Sequence, residues 1–292
     1  MPRSLNARGA LLMAFSMLAF VLNDGLMKGL LAEMSIYQAV VLRGSVTAPL
    51  IALMAWRAGV LIVKLKGRDK KIILARVAAE VVATICFLTA LGQMPLANIT
   101  AILQALPLTV TMAAALFLAE PVGWRRWSAI LMGLCGVLVI VQPGMDGFSI
   151  HSLWALAAVI AVTFREIATR QLSKDVPSLP VALATAIAIC GFGAVNLPGV
   201  DWVTVTLSSW VYIGGAGVAI IGGYLFSVMA VRAGDISFVS PFRYTAMIWA
   251  IGLGFLLFGE LPDVPTTIGT LIIITAGLYS LHRERRRAAE NA

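Results

Sequence analysis

Charge is scarce in this chain. Of its 292 residues 12% are Asp, Glu, Lys or Arg, about half the share of a typical water-soluble domain. By contrast 60% are hydrophobic, and the mean hydropathy is +0.93. So little polar surface cannot cover soluble domains of this length, so lipid must serve as the solvent. Histidine is nearly absent: His151 and His282 both lie near segment ends, which leaves no metal-ligand set and no base to activate a nucleophile at membrane depth. Cys86, Cys135 and Cys190 fall inside apolar runs, which argues against a disulfide framework. No G-x-x-x-x-G-K-[ST] run occurs, so the chain carries no ATP motor of its own. No cofactor, metal or ATPase subunit is expected, and an intramembrane protease or acyltransferase lacks its chemistry. No ring-forming polar repeat or re-entrant filter suggests a channel. The net charge of +8 suits nucleic acid, but the basic residues sit in short connections without interleaved aromatics to stack bases.

What the sequence does have is long apolar runs. A spanning helix needs roughly 20 mostly apolar residues, and ten such runs lie near 9–31, 36–57, 71–91, 96–119, 125–141, 149–171, 179–198, 209–231, 237–258 and 265–281. Residues 1–8 lead straight into a run longer than the core of a signal peptide. Lys and Arg gather on the cytoplasmic side of membrane proteins. With the N-terminus placed there, that side holds Arg3, Arg8, Arg57, Lys64, Lys66, Arg68, Lys70, Lys71, Arg76, Arg125, Arg126, Arg170, Lys174, Arg232, Arg283, Arg285, Arg286 and Arg287, and the outer connections hold Lys28 alone. Shifting the count by one helix destroys this asymmetry, so ten spans and two cytoplasmic termini are predicted together. The expected location is a bacterial-type cytoplasmic (inner) membrane. Trp56, Trp124 and Trp127 at inner ends, and Trp154, Trp202 and Trp210 at outer ends, fit an interfacial belt.

Sliding the sequence on itself by 140–142 residues brings two halves into register. Asp24 and Lys28 fall on Glu166 and Arg170, Ala90 on Ala230, Thr100 on Ser240, and "LFLAE" ending at Glu120 on "FLLFGE" ending at Glu260. The halves, 1–145 and 146–292, hold five spans each. An odd number forces the second to insert upside down, which is how many carriers build two related half-structures around a midplane site. The predicted fold class is therefore an all-α polytopic membrane protein, with two inverted five-helix repeats around a central cavity.

Four segments carry a resemblance: "NDGLMKGLL" (23–31), "LRGSVTAPL" (42–50), residues 90–140 and "AGDISFVSPFRYTAMIWAIGLGFLLFGE" (233–260). They resemble EamA-type carriers of the drug/metabolite transporter superfamily over nearly the whole chain. The most specific part is a helix–Glu–short loop–helix unit occurring at Glu120 and again at Glu260. The resemblance implies a cavity lined mainly by the third, fourth, eighth and ninth spans. It is strongest to YddG-type amino-acid exporters, and segments 23–50 and 90–140 also resemble S-adenosylmethionine and riboflavin uptake carriers. The expected function is alternating-access transport of a small amphipathic metabolite by a monomer, with aromatic or neutral amino acids exported.

An ionisable residue inside a span costs about 2.5–3.5 kcal/mol at the bilayer centre, so each must face protein or a wet cavity. Glu80 lies about 14 Å into the third span at 1.5 Å per residue, with Thr84 on its face. It is read either as a cavity carboxylate for a substrate amine or as an acid neutralised by a neighbouring Arg. Arg243 is read as the clamp for a substrate carboxylate or a partner of Glu80 or Glu166. Tyr244 and Gln104, 140 residues apart, are placed on the cavity wall, and Trp249 either there or between helices. Asp24–Lys28 and Glu166–Arg170 have the i,i+4 spacing of intrahelical ion pairs, read as end anchors or as one gate per face. Asp24 is placed near the outer end, with Arg43 as its expected partner, and Arg165, beside Glu166, is read as the corresponding partner at the inner side. Pro107 is expected to bend the fourth span. Gly25, Gly29 and Gly214–Gly223 are assigned to close helix packing, and Glu120 and Glu260 to the N-termini of the helices that follow them.

Overall fold

The structure, a computed structural model, describes residues 3–290 except 64, 146 and 174, without the side chains at 3, 4, 236, 237 and 284–290. Lys64 and Lys174 thus lie outside the described residues, as do the side chains of Arg3, Arg285, Arg286 and Arg287. The described chain forms twelve α-helices and no strand: α1 (Arg3–Glu33), α2 (Ile36–Arg57), α3 (Gly67–Leu91), α4 (Leu96–Leu103), α5 (Leu106–Phe117), α6 (Trp124–Val141), α7 (Ile150–Arg170), α8 (Ser178–Asn196), α9 (Leu207–Ala233), α10 (Ile236–Val239), α11 (Thr245–Phe258) and α12 (Val264–Glu290). Ten of the resulting segments are long and apolar enough to cross a membrane. Their bounds match the ten apolar runs, except that α1, α3, α9 and α12 continue past them. The 31 residues of α1 reach roughly 46 Å, longer than the hydrocarbon layer, so its polar ends project into the interfaces.

Several starts are set by hydroxyl caps. Ser35, Ser149 and Thr206 accept the backbone N–H of Gln38, His151 and Ser209 at 3.2 Å each, satisfying donors that a helix start leaves orphaned.

The fourth span breaks between α4 and α5. Pro107 has no N–H to offer the carbonyl four residues back, and the backbone tightens into i→i+3 bonds from Gln104 to Ala101 and from Ala105 to Ile102, both 3.2 Å. The ninth span breaks at the corresponding level, where Ser240–Tyr244 forms a 3-10 turn around Pro241. Both spans end alike. Ala119 (φ 54°) and Gly259 (φ 67°) are left-handed, and the N–H of the next residue reaches back six positions, Glu120 to Ala114 at 3.3 Å and Glu260 to Gly254 at 3.1 Å. These two closures are 140 residues apart.

The principal helix contacts run between the first and second halves of the chain. α1 lies along α9 and α3 along α7, while α2 packs on α8 and α6 on α12. First-with-eighth and third-with-sixth span are one contact once the halves are exchanged. Lipid provides no hydrophobic drive between helices, so close approach must supply the attraction. At α6–α12 a Cβ on Gly136 would stand 2.8 Å from the Gly269 carbonyl, and one on Gly269 would stand 2.5 Å from that of Gly136. At α1–α9 the Phe20 ring fills the space over Gly223. The packing role assigned to the glycines fits these contacts.

The chain ends share one face. Asn6 near the start of α1 exchanges two hydrogen bonds with Asp235 (3.3 and 3.0 Å), and Arg283 of α12 lies beside Trp124–Arg126 at the start of α6. This is the terminal face below; the opposite one is the far face.

Candidate functional site

Charged groups from α1, α2, α3 and α7, with a tyrosine from α9, converge inside the bundle. These charged groups and the tyrosine come from the first, second, third, sixth and eighth spans, of which the third and eighth are among those the resemblance implied for the cavity. The fourth is instead the most enclosed span, with Leu96, Ile99 and Ile102 fully buried in α4.

The first group is a strut. Arg165 of α7 donates from Nη1 to both oxygens of Glu80 (2.9 and 3.0 Å) and from Nη2 to Glu166 (2.5 Å). Arg76, one turn before Glu80 on α3, lies 3.9 Å from it and donates to the hydroxyls of Thr169 (3.0 Å) and Thr185 (2.8 Å). One network thereby binds α3, α7 and α8. Glu80 is thus neutralised by a neighbouring helix's arginine, which is Arg165 and not Arg243. Arg243 is exposed in the 3-10 turn, too far from Glu80 and Glu166 for an ion pair. Thr84 is half-buried one turn along α3 from Glu80.

The second group is Asp24 and Arg43. Asp24 lies nine residues before the end of α1, roughly 14 Å inside. Its carboxylate accepts one hydrogen bond, from Asn23 Nδ2 at 2.9 Å. Arg43, seven residues into α2, is within electrostatic range of Asp24, Tyr224 and Glu80, yet its guanidinium bonds to none of the described residues. The expected Asp24–Arg43 ion pair is therefore not closed, and both residues keep part of their surface exposed.

Tyr224 of α9 stands between the two groups. It stacks edge-on against Phe20 (centroids 5.2 Å apart, 85°) and has Glu80, Arg165, Arg76 and Arg43 within electrostatic range. With charged groups of three helices around it, it is still 52% exposed. Sequence reading missed Tyr224, Arg76 and Asn23. Tyr224 was detectable, since the residue 140 positions earlier is Thr84, also polar and in the middle of a span.

Two further ion pairs sit at opposite faces, and neither is the intrahelical pair expected from spacing. Lys28 turns away from Asp24 and donates to Glu260 (2.5 and 2.6 Å) and to the Met94 carbonyl (2.9 Å), with the Phe258 ring 4.9 Å away. Glu260 also accepts the Leu96 N–H at 3.1 Å, so it serves the start of α4 and not that of α12, where Asp263 accepts the Thr266 N–H (2.9 Å). At the terminal face Arg170 reaches Glu120 at 3.3 Å while Glu166 is held by Arg165. Lys28 and Arg170 are repeat counterparts, and so are Glu260 and Glu120. The far-face pair is the more enclosed, with side chains 11% and 28% exposed against 46% and 51%.

The two broken spans meet. Gln104 Nε2 donates to the Tyr244 carbonyl at 3.3 Å, so Gln104 clamps the opposite break and does not line the polar space. Tyr244 is buried with its ring against Gly277 of α12, away from the charged groups. Trp249 Nε1 donates to the Ala14 carbonyl of α1 (3.1 Å), which is the packed alternative. A groove of about 470 Å³ between α11 and α12 is lined almost wholly by apolar side chains such as Ile248, Ile251 and Leu271, as a lipid-facing surface requires.

The sequence matches the EamA-like transporter family twice, over residues 7–142 and 149–281. It is 26% identical over 270 residues to the pseudopaline exporter CntI of Pseudomonas aeruginosa, covering 92% of this chain and 94% of that one. It is also 28% identical over 218 residues to a riboflavin transporter of Vibrio cholerae (74% and 72% covered). To an S-adenosylmethionine uptake transporter of Rickettsia bellii it is 25% identical over 196 residues (66% of each). These relatives have three different cargoes and are not the YddG-type exporters to which the sequence resemblance pointed. A solved structure 16% identical superimposes with a TM-score of 0.68 over 96% of this chain and 98% of the other, which shows a shared fold.

Proposed function

Because the chain belongs to the EamA-like transporter family, we propose that it carries a small amphipathic metabolite by alternating access, with aromatic or neutral amino acids moving outward as the first candidates. One observation carries this reading: charged side chains from four helices of both halves, with Tyr224 among them, lie within electrostatic range of one another among spans that are otherwise apolar. Charge at that depth is costly unless it serves a solute pathway. In this reading the halves are inverted repeats, the terminal face is cytoplasmic and the membrane is the inner membrane. The doubled family match, the closures at Glu120 and Glu260 and the exchangeable helix contacts support the inversion. The excess of Lys and Arg that the sequence puts on the terminal side supports the orientation, although Arg76 lies inside α3.

The paired bridges provide the mechanics. Lys28–Glu260 ties α1 to the end of the ninth span and the start of the fourth at the far face. Arg170–Glu120 ties α7 to the end of the fourth at the terminal face. In the proposed cycle each is made while its face is shut and released when it opens. The structure has both pairs made, which in this cycle corresponds to a state shut at both faces.

A second reading, uptake of S-adenosylmethionine or riboflavin, draws on the named relatives. Counterflow in proteoliposomes separates them. Vesicles preloaded with unlabelled solute are assayed for entry of labelled amino acids, S-adenosylmethionine or riboflavin, at matched and mismatched pH. Accumulation of amino acids alone supports the first reading, and accumulation of either other solute supports the second. Flux no greater than in empty vesicles for all of them overturns both.

A further inference from the structure

We infer that Asp24 and Arg43 form the substrate's polar anchor, Asp24 receiving an ammonium group and Arg43 a carboxylate, so that the site selects compounds bearing both. This rests on the carrier reading and deepens it.

The inference comes from which charges are left unsatisfied. Deep in the bundle, Lys28 is spent on Glu260, and Glu80, Arg165, Glu166 and Arg76 are spent on one another and on Thr169 and Thr185. Asp24 and Arg43 are the exception among the described residues. They are of opposite sign, on consecutive helices and within electrostatic range, yet no ion pair joins them and the guanidinium donates to no described group. An arginine has five N–H donors in a planar fork that suits a carboxylate bidentately. A carboxylate with one donor neighbour retains acceptor positions for an ammonium. A zwitterion supplies both complements and leaves the assembly neutral, whereas an amine alone or an acid alone leaves one protein charge uncompensated.

The surroundings set the rest of the substrate. Phe20 lies one helical turn before Asp24, hence on the same face of α1, and its ring meets Tyr224, which is in range of Arg43. An apolar or aromatic side chain attached to the zwitterion rests on these two rings. Asn23 is a positioning residue, its amide holding Asp24 by the 2.9 Å hydrogen bond.

The test uses the full chain in proteoliposomes, with L-phenylalanine, phenethylamine (no carboxylate) and 3-phenylpropionate (no amine) as competing solutes for labelled L-phenylalanine. The wild type should prefer L-phenylalanine at least tenfold over each analogue. Asp24→Asn should lose that preference over 3-phenylpropionate and Arg43→Gln over phenethylamine, each weakening L-phenylalanine at least tenfold. Asp24→Glu should recover most of the affinity, which separates a lost contact from a misfolded protein, and size-exclusion profiles of all variants should match the wild type. Wild-type discrimination retained in Asp24→Asn and Arg43→Gln overturns the assignment and leaves the carrier reading standing. A wild type that moves other solutes but no aminocarboxylate also overturns the assignment alone. A wild type that moves no solute overturns both.

Discussion

Spacing along one helix identified Asp24, Lys28, Glu166 and Arg170 as special and then paired them wrongly. At i,i+4 an exposed acid–base pair contributes only a few tenths of a kcal/mol. Inside a bundle the charge instead takes whichever partner on another helix satisfies it most fully, and for Lys28 that is a carboxylate, a carbonyl and an aromatic face. One sequence offers no contact map, so Arg165 could not be chosen over Arg243 as the partner of Glu80. The structure therefore reverses an expectation. Glu80→Gln leaves Arg165 buried with half its compensation and should cost about 3 kcal/mol of stability, as breaking one side of a buried pair does. Thermal unfolding of the detergent-solubilised protein should show the loss, while the substrate affinity of protein that does fold stays within about twofold of wild type. Arg243→Ala, at an exposed position without a carboxylate partner, should change neither.

Among the secondary-structure elements the sequence was far more legible. Runs of about twenty apolar residues have one stable outcome in lipid, a helix, so all ten spans and most of their ends were readable. The interruptions were less so. Pro107 announced a break in the fourth span, but the ninth breaks at an equivalent level around Pro241, which sits at a different register, and only packing reveals that the two coincide. The terminations of those spans give a paired expectation. Ala119 occupies the left-handed conformation that Gly259 occupies in the other half, at a cost of roughly 1–2 kcal/mol for a residue bearing a Cβ. Ala119→Gly should leave stability unchanged or raise it by up to about 1 kcal/mol, and Gly259→Ala should lower it by about 1 kcal/mol, both read from unfolding midpoints. For the bridges, Lys28→Met with Glu260→Gln removes the far-face tie without stranding a buried charge. In a background lacking the native cysteines, a cysteine at Thr84, half-buried one turn along α3 from Glu80, should then react faster with a membrane-impermeant thiol reagent from the far side. An unchanged rate would mean that the pair is structural and no latch.

At the level of the whole molecule, the distribution of Lys and Arg and the odd number of spans in each half predict two chain ends on one side of the membrane. Both chain ends lie at one face. Reporter tags at the two ends should be protected together in sealed right-side-out vesicles and exposed together in inverted ones. The sequence also put ionisable residues inside the spans. Which spans bring them together was beyond reach, because that depends on how the halves interlock, and the first and eighth spans face each other only through contacts between residues some two hundred positions apart.

The bond from Gln104 to the Tyr244 carbonyl joins two positions that are each other's counterpart. In the proposed inverted-repeat reading a residue that touches its own image lies on the two-fold axis, so this is where a symmetric pair of separate five-helix polypeptides, inserted antiparallel, would touch through identical positions. The connection over residues 142–149 then supplies stoichiometry and opposed insertion, not recognition. A gene cut there and expressed as two fragments should reassemble on the same seam.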